Sequence, residues 1–144
     1  MEYREDIGFQ IRTLSHLVKR VVDQTAFSGE ELHPTGVQGW IIGYLYNHRH
    51  QEVFQRDIQE QFSIRRSTVT GILQLMEKNG LVTRSSVEQD ARLKKLELTQ
   101  KGIELHERVE RSIRQVEDRI SNCLTPEEKE EFIRLCEKIR ENLQ

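Results

Sequence analysis

The chain has 144 residues, enough for one domain or one protomer of a small oligomer, with a net charge of −2 and 32% charged residues. Its mean hydropathy is −0.68, yet apolar residues recur periodically almost from end to end, which excludes a disordered chain and points to long amphipathic helices. No run approaches a transmembrane span and the start of the chain lacks a secretory signal's apolar centre, so a cytoplasmic protein without membrane contact is expected.

Residues 3–27 carry Ile7, Ile11, Leu14, Val18 and Val21 at steps of four and three, the spacing of one helical stripe, and Ser28-Gly29 stops it. Phe9, Arg12, His16 and Lys19 fall off that stripe, on a solvated or partner-covered face. The next helix opens on Pro34, with Thr35 and Gln38 in capping-box spacing, and Val37, Trp40, Ile41, Tyr44 and Leu45 form its apolar face. Gly36, Gly39 and Gly43 each cost about 1 kcal/mol against alanine inside a helix. Tight packing against a neighbouring helix is the favoured reason for them; room for a small effector is the other.

Residues 53–62 read as a short helix with Ile58 and Phe62 inward, and the polar stretch 49–52 leads into it through a strand residue or two. Ser63-Ile64 is a tight turn into a second helix, in which Val69, Ile72, Leu73 and Met76 form the buried stripe and Asn79-Gly80 the stop. Burying that stripe leaves Ser67, Gly71, Gln74 and Lys78 outward, flanked by Thr68 and Thr70, with Arg65 and Arg66 at the start. Two helices joined by a short turn make the helix-turn-helix, whose second helix enters the DNA major groove. Residues 81–84 and 96–99 read as short strands joined by a charged tip, 85–95, which adds a wing. The fold class expected is therefore mainly α with a small β-wing: a winged helix-turn-helix over about 35–102, flanked by long helices.

From residue 100 to about 122, Leu105, Val109, Ile113, Val116 and Ile120 keep near-heptad spacing that can form a seam against another helix. Thr125-Pro126-Glu127-Glu128 then combines an N-cap, a proline at the first helical position and acid in the first turn. Phe132, Leu135, Cys136, Ile139 and Leu143 supply the last helix's apolar positions. Three long helices (3–27 and the two within 103–143) present more apolar surface than so small a body can cover, so a homodimer with these as dimerisation helices is expected.

The net charge hides an asymmetry: over residues 52–102 nine basic residues face seven acids, and beyond Gly102 the acids win. That permits a basic side facing DNA without requiring one. Arginine suits guanine, glutamine suits adenine, and small hydroxyls and methyls suit thymine. Arg65, Arg66, Ser67, Thr70 and Gln74 offer that set, where an ordinary solvated helix face carries more glutamate and alanine.

Four signals in order resemble the MarR family of bacterial transcriptional regulators: Arg66-Ser67-Thr68-Val69-Thr70, Glu77-Lys78-Asn79-Gly80-Leu81-Val82, Asp90-Ala91-Arg92 and Leu98-Thr99-Gln100-Lys101-Gly102. The resemblance implies a single domain over 1–144 and a homodimeric regulator, by family habit a repressor, on a pseudo-palindromic duplex operator. It further implies that Arg92 reaches a minor groove with Asp90 supporting the wing, while Lys94 and Lys95 suit phosphates. A small anionic or phenolic effector between the dimer helices and the winged part is implied too, for which Arg12, His16, Trp40 and Tyr44 are the candidates. The chain departs from the family pattern at Arg65, where an N-cap residue is common, at Gln59, where alanine is common, and at Phe54, where a polar cap is common.

Other chemistries find less support. His16, His33, His48, His50 and His106 do not converge at metal-ligand spacing, so no metal is expected. Cys123 and Cys136 lie within helical patterns without a CxxC pair and read as packed, reduced thiols; no cysteine precedes them to serve as an N-terminal redox switch. No nucleophile elbow, phosphate loop or metalloprotease motif is present, which argues against an enzyme and against a cofactor. The alternative from another class is a protein-interaction module on a winged-helix scaffold that reads no operator.

Overall fold

The computed structural model describes residues 5–29, 34 and 36–144. Its elements run α1 (Ile7–Ala26), α2 (Gly36–Asn47), β1 (Val53–Phe54), α3 (Gln55–Phe62), α4 (Arg66–Lys78), β2 (Val82–Val87), β3 (Asp90–Leu98), α5 (Gln100–Asn122) and α6 (Pro126–Leu143). The mainly helical class with a small antiparallel sheet is as expected. Tyr3, His33 and Thr35 lie outside the described residues, and with them the capping box placed at Thr35. The chain divides into two units, Gly29–Val109 and the pair of segments Met1–Ser28 and Glu110–Gln144.

The middle unit owes its core to the stripes legible in the sequence. Ile41 and Leu45 of α2, Ile58 of α3, and Val69, Leu73 and Met76 of α4 are buried with Leu81, Val82, Leu96 and Leu105. Removing one such leucine side chain costs about 2–5 kcal/mol, so α4's inner face alone anchors its orientation. α4 ends as a glycine stop should: Gly80 takes φ +72°, its N–H donates to the Glu77 carbonyl at 2.9 Å, and the Leu81 N–H returns to the Met76 carbonyl at 2.9 Å.

The wing is longer than expected. Strands extend to Val87 and back from Asp90, leaving only Glu88-Gln89 as the turn, where a charged tip over 85–95 was expected. Apolar alternation stops at Arg84 because both faces of the outer hairpin meet solvent, whereas backbone pairing needs no apolar side chains and continues. β3 pairs with β2 on one edge and with β1 on the other, Val53 opposite Leu96.

Thr99 joins wing to helix. Its hydroxyl donates to the Gly80 carbonyl at 2.6 Å and accepts from the Gly102 N–H at 3.1 Å. A Cβ on buried Gly102 would strike the Leu81 carbonyl oxygen, so glycine is required for α5 to start against the wing's base. The glycines of α2 correct an expectation: nothing lies within 4 Å of where a Cβ would stand on Gly36 or Gly39, and only His106 comes near Gly43, at 3.9 Å. Among the described residues they do not pack a helix tightly.

In the other unit, α6 begins with the expected cap, Thr125 N–H on Glu128 at 2.9 Å and Glu128 N–H on the Thr125 hydroxyl at 3.2 Å. Lys129 ties α6 back to α5 through Ser121 at 3.1 Å. The apolar stripe of α1 exists but is uncovered in the single chain: Ile7, Ile11, Leu14, Leu17 and Val18 are all exposed, as are Ile113, Ile120, Phe132 and Leu135. Cys123 is exposed rather than packed, with its thiol on the Ile120 carbonyl, and Cys136 is half-buried. Among the described residues no helix is long and apolar enough to cross a membrane.

Candidate nucleic-acid interface

α3 and α4 meet through a turn that needs one left-handed residue. Ser63 takes φ +51°, and the Ile64 N–H reaches the Gln59 carbonyl at 3.1 Å. Phe54, lacking a capping oxygen, still starts α3 because Asp57 accepts its N–H at 2.8 Å. Arg65 occupies the N-cap of α4 with no side-chain cap bond, so the helix start presents amide hydrogens and guanidinium groups outward.

With Val69, Leu73 and Met76 inside, Arg65, Arg66, Ser67, Thr68, Gly71, Gln74 and Lys78 are all exposed, as expected from the stripe. Glu77, the helix's single acid, is neutralised by Arg84 of β2 at 2.9 Å. The outward face therefore carries no unpaired negative charge toward a polyanion. Leu75, 47% exposed beside Gln74, joins this surface; periodicity does not single it out, because leucine ordinarily counts toward the core. An exposed aliphatic group suits a thymine methyl.

Two expected DNA contacts are engaged elsewhere. The half-buried Thr70 hydroxyl donates to the Arg66 carbonyl at 2.8 Å and accepts from the Gln55 amide at 2.7 Å, which fastens α4 to α3. Lys95 lies in the paired body of the sheet, opposite Ser85 and Phe54, with Glu97 at 3.2 Å and Glu52 at 3.7 Å. The bond to Glu97 and that carboxylate's charge raise its pKa above the usual lysine value. A lysine so paired is a poorer phosphate contact than the sequence pattern implied.

The wing tip is built to aim Arg92. Pairing is regular from Val82–Leu98 to Ser86–Lys94, then jumps so that Val87 faces Asp90, which leaves Ala91, Arg92 and Leu93 as a bulge on β3. Bulges re-aim side chains and sharpen twist. Asp90 accepts the Arg92 backbone N–H at 2.9 Å, fixing the turn while the guanidinium stays exposed. Lys94 is exposed with its ammonium on the Ser86 hydroxyl at 2.8 Å.

The candidate effector residues are only partly assembled. Trp40 stacks on Phe62 with centroids 6.2 Å apart, and Tyr44 sits edge-on to Phe62 at 6.0 Å and stacks on His48 at 4.0 Å. Phe62, taken from the sequence as an inward residue, is the shared element of that cluster. Arg12 and His16 are exposed on α1, in the other unit. A cleft of ≈730 Å³ beside β1 and β3, lined in part by His48, Arg49, Glu52 and Lys95, includes none of the four. Among the described residues no group of three His, Cys, Asp or Glu could hold a metal ion.

An exposed, acid-neutralised second helix of a helix-turn-helix, beside a bulged wing with an arginine at its tip, defines a winged helix-turn-helix DNA-binding transcriptional regulator. The sequence model of the MarR family matches residues 33–93. Among solved structures, the chain is similar to MepR of Staphylococcus aureus, described as a transcription regulator of the multidrug efflux pump MepA: 30% identity over 96% of this chain and 98% of that one, TM-score 0.74. The S. aureus MepR–DNA complex matches at 30% identity over 95% and 99%, TM-score 0.75, and MepR bound to ethidium bromide at 30% over 96% of each chain, TM-score 0.70. No curated protein matches by sequence. The chain belongs to the MarR family, whose members are transcription factors rather than enzymes.

Proposed function

We propose that the protein is a homodimeric repressor that reads a pseudo-palindromic operator in duplex DNA and is released by a small aromatic effector. The observation that carries the DNA reading is the outer face of α4, exposed from Arg65 to Lys78 with its one acid paired to Arg84. Arg65, Arg66, Ser67, Thr68 and Gln74 are the major-groove candidates, Arg92 the minor-groove candidate and Lys94 a phosphate contact, with Asp90 shaping the wing. MepR has been solved with DNA, which supports the same use here.

The dimer is supported by the uncovered apolar residues of α1, α5 and α6, which a second copy would bury. In that arrangement residues 35–102 form the winged part of one MarR-like domain spanning 1–144, and 3–27 and 103–143 the dimerisation helices. A two-fold axis would present the two α4 helices to successive major grooves about 34 Å apart. A repressor of this kind would work in the cytoplasm, where its operator lies.

MepR's complex with ethidium, a flat aromatic, supports a stacking effector here. Trp40 is 61% exposed in the single chain and already stacked on Phe62, so its exposed surface can receive a planar ring beside Tyr44. Arg12 and His16 of α1 remain candidates for binding an anionic effector. A ligand preferring a half-site spacing that does not match DNA shifts the dimer population away from the operator.

Fluorescence anisotropy with the protein's own upstream promoter DNA and a random duplex, over a salt series, tests the DNA reading. The upstream DNA should bind more tightly, with affinity falling steeply as salt rises. Equal affinity for both duplexes would overturn operator recognition. Trp40 is the sole tryptophan, so its quenching by a panel of planar aromatic cations and acids reports the effector site directly. Operator release that persists unchanged in Trp40→Ala would remove it.

A further inference from the structure

Three arginines of the winged unit line one cleft that no acidic residue lines. A cleft of ≈170 Å³ opens between the start of α3, the first turn of α4 and the bulged stretch of β3, and Arg56, Arg66, Arg92 and Lys94 line it with Gln55 and Gln59. None of its lining residues is acidic. Nearby carboxylates are turned to backbone: Asp57 accepts the Phe54 N–H at 2.8 Å, and Asp90 the Arg92 N–H at 2.9 Å. Among the described residues none of the three guanidinium groups has a carboxylate partner. Lys95, the residue after the cleft's Lys94, has two.

Like charges gathered around one small volume repel, and the repulsion is relieved when an anion enters. The fold holds them there. Arg56 lies over the Phe54 ring at 5.5 Å, the Gln55 amide is fixed on Thr70 at 2.7 Å, and the bulge sets Arg92. The volume admits a tetrahedral oxyanion, and a wall of three arginines, a lysine and two amides suits an anion better than an apolar ring. Several of the wall residues, Arg56 and Gln59 among them, were not among the expected DNA contacts, and Gln59 is one of the positions where the chain departs from the family pattern.

We infer that this cleft seats one phosphate of the DNA backbone, gripped at once by α3, α4 and the wing. The inference rests on the DNA-binding function and adds to it a place and a consequence. Because Arg66 and Arg92 would hold the same phosphate, this assigns both to the backbone in place of the groove roles proposed above, and it locks the wing's position to that of α4. Guanidinium groups, with planar donor forks, are suited to this bidentate grip.

The test uses the full-length protein and an operator duplex from its own upstream region, in copies that each carry one neutral methylphosphonate. For the wild type, one position per half-site should weaken binding by about tenfold, the effect of deleting a charge-assisted hydrogen bond. Arg56→Ala should bind operator and random duplex more weakly by a common factor, and the modification at that position should cost it less than it costs the wild type. Its slope of log affinity against log salt should be shallower. Arg92→Ala should show the same reduced cost at the same position, which a mere loss of folding would not produce. An Arg56→Ala protein with wild-type affinity and slope, or one for which every position costs as much as for the wild type, overturns the inference. Inorganic phosphate distinguishes the other source: thermal stabilisation of the wild type by micromolar phosphate, absent in Arg56→Ala, would show a free-anion site and overturn the backbone assignment. Were the wild type itself to show no operator binding, the operator reading would fail first, before any variant is compared.

Discussion

Replacing Thr70 with valine separates two roles that its hydroxyl could play, fastening α4 to α3 or reading a base. Valine keeps the shape and removes the oxygen that accepts from the Gln55 amide at 2.7 Å, and Gln55 is only 8% exposed. A buried amide deprived of its acceptor costs about 1–3 kcal/mol. The second bond, from the hydroxyl to the Arg66 carbonyl at 2.8 Å, adds little, because such a back-bond within a helix is close to neutral. Thr70→Val should therefore lower the urea midpoint by the equivalent of about 1–3 kcal/mol, with an unchanged slope. Protein concentration must be held constant, since a dimer's stability depends on it. The Gln55→Leu, Thr70→Val double variant, with both polar partners gone, should recover most of the loss. Thr70→Val should keep the wild-type ratio of operator to random affinity. A variant with the wild-type midpoint but relaxed preference at one base pair would refute the reasoning and return Thr70 to the base-reading set.

Gly102→Ala should destabilise the protein by about 1–3 kcal/mol, because its Cβ meets the Leu81 carbonyl oxygen, a backbone atom that cannot swing aside; chemical denaturation measures it. Lys94→Ala should weaken operator binding more than Lys95→Ala, since Lys95 is already paired with Glu97 and Glu52; anisotropy at low salt shows the order. Phe132→Glu, at a residue 53% exposed in the single chain, should shift sedimentation from dimer to monomer and lose operator binding with it. Glu131 is held below the usual carboxylate range by its hydrogen bonds from Arg134, at 2.8 and 2.6 Å. A depressed carboxylate adds stability above its unfolded pKa and loses it as pH falls through the folded one. Thermal melts of Glu131→Gln should thus fall away less than wild type on the acid side and match its shape near neutrality.

Local signals in the sequence determined most of the fold. Val69, Leu73 and Met76 at helical spacing place α4's inner face with no tertiary information, because a helix of fixed period can bury only one stripe. Gly80 and the Thr125 box are legible for the same reason: each answers to backbone groups within a few residues. What stayed hidden was set by distance along the chain. Gln55 and Thr70 are fifteen positions apart, Lys95 and Glu52 more than forty, and nothing in either residue's neighbourhood announces its partner. The wing's true length and the bulge at Arg92 were hidden because backbone pairing leaves no mark on exposed side chains. Arg56 looked like an ordinary charge on a short helix; only packing α3, α4 and β3 together put it beside Arg66 and Arg92. Periodicity and capping are written one turn at a time, while the pairing of charges and the emptiness between them exist only once distant segments meet.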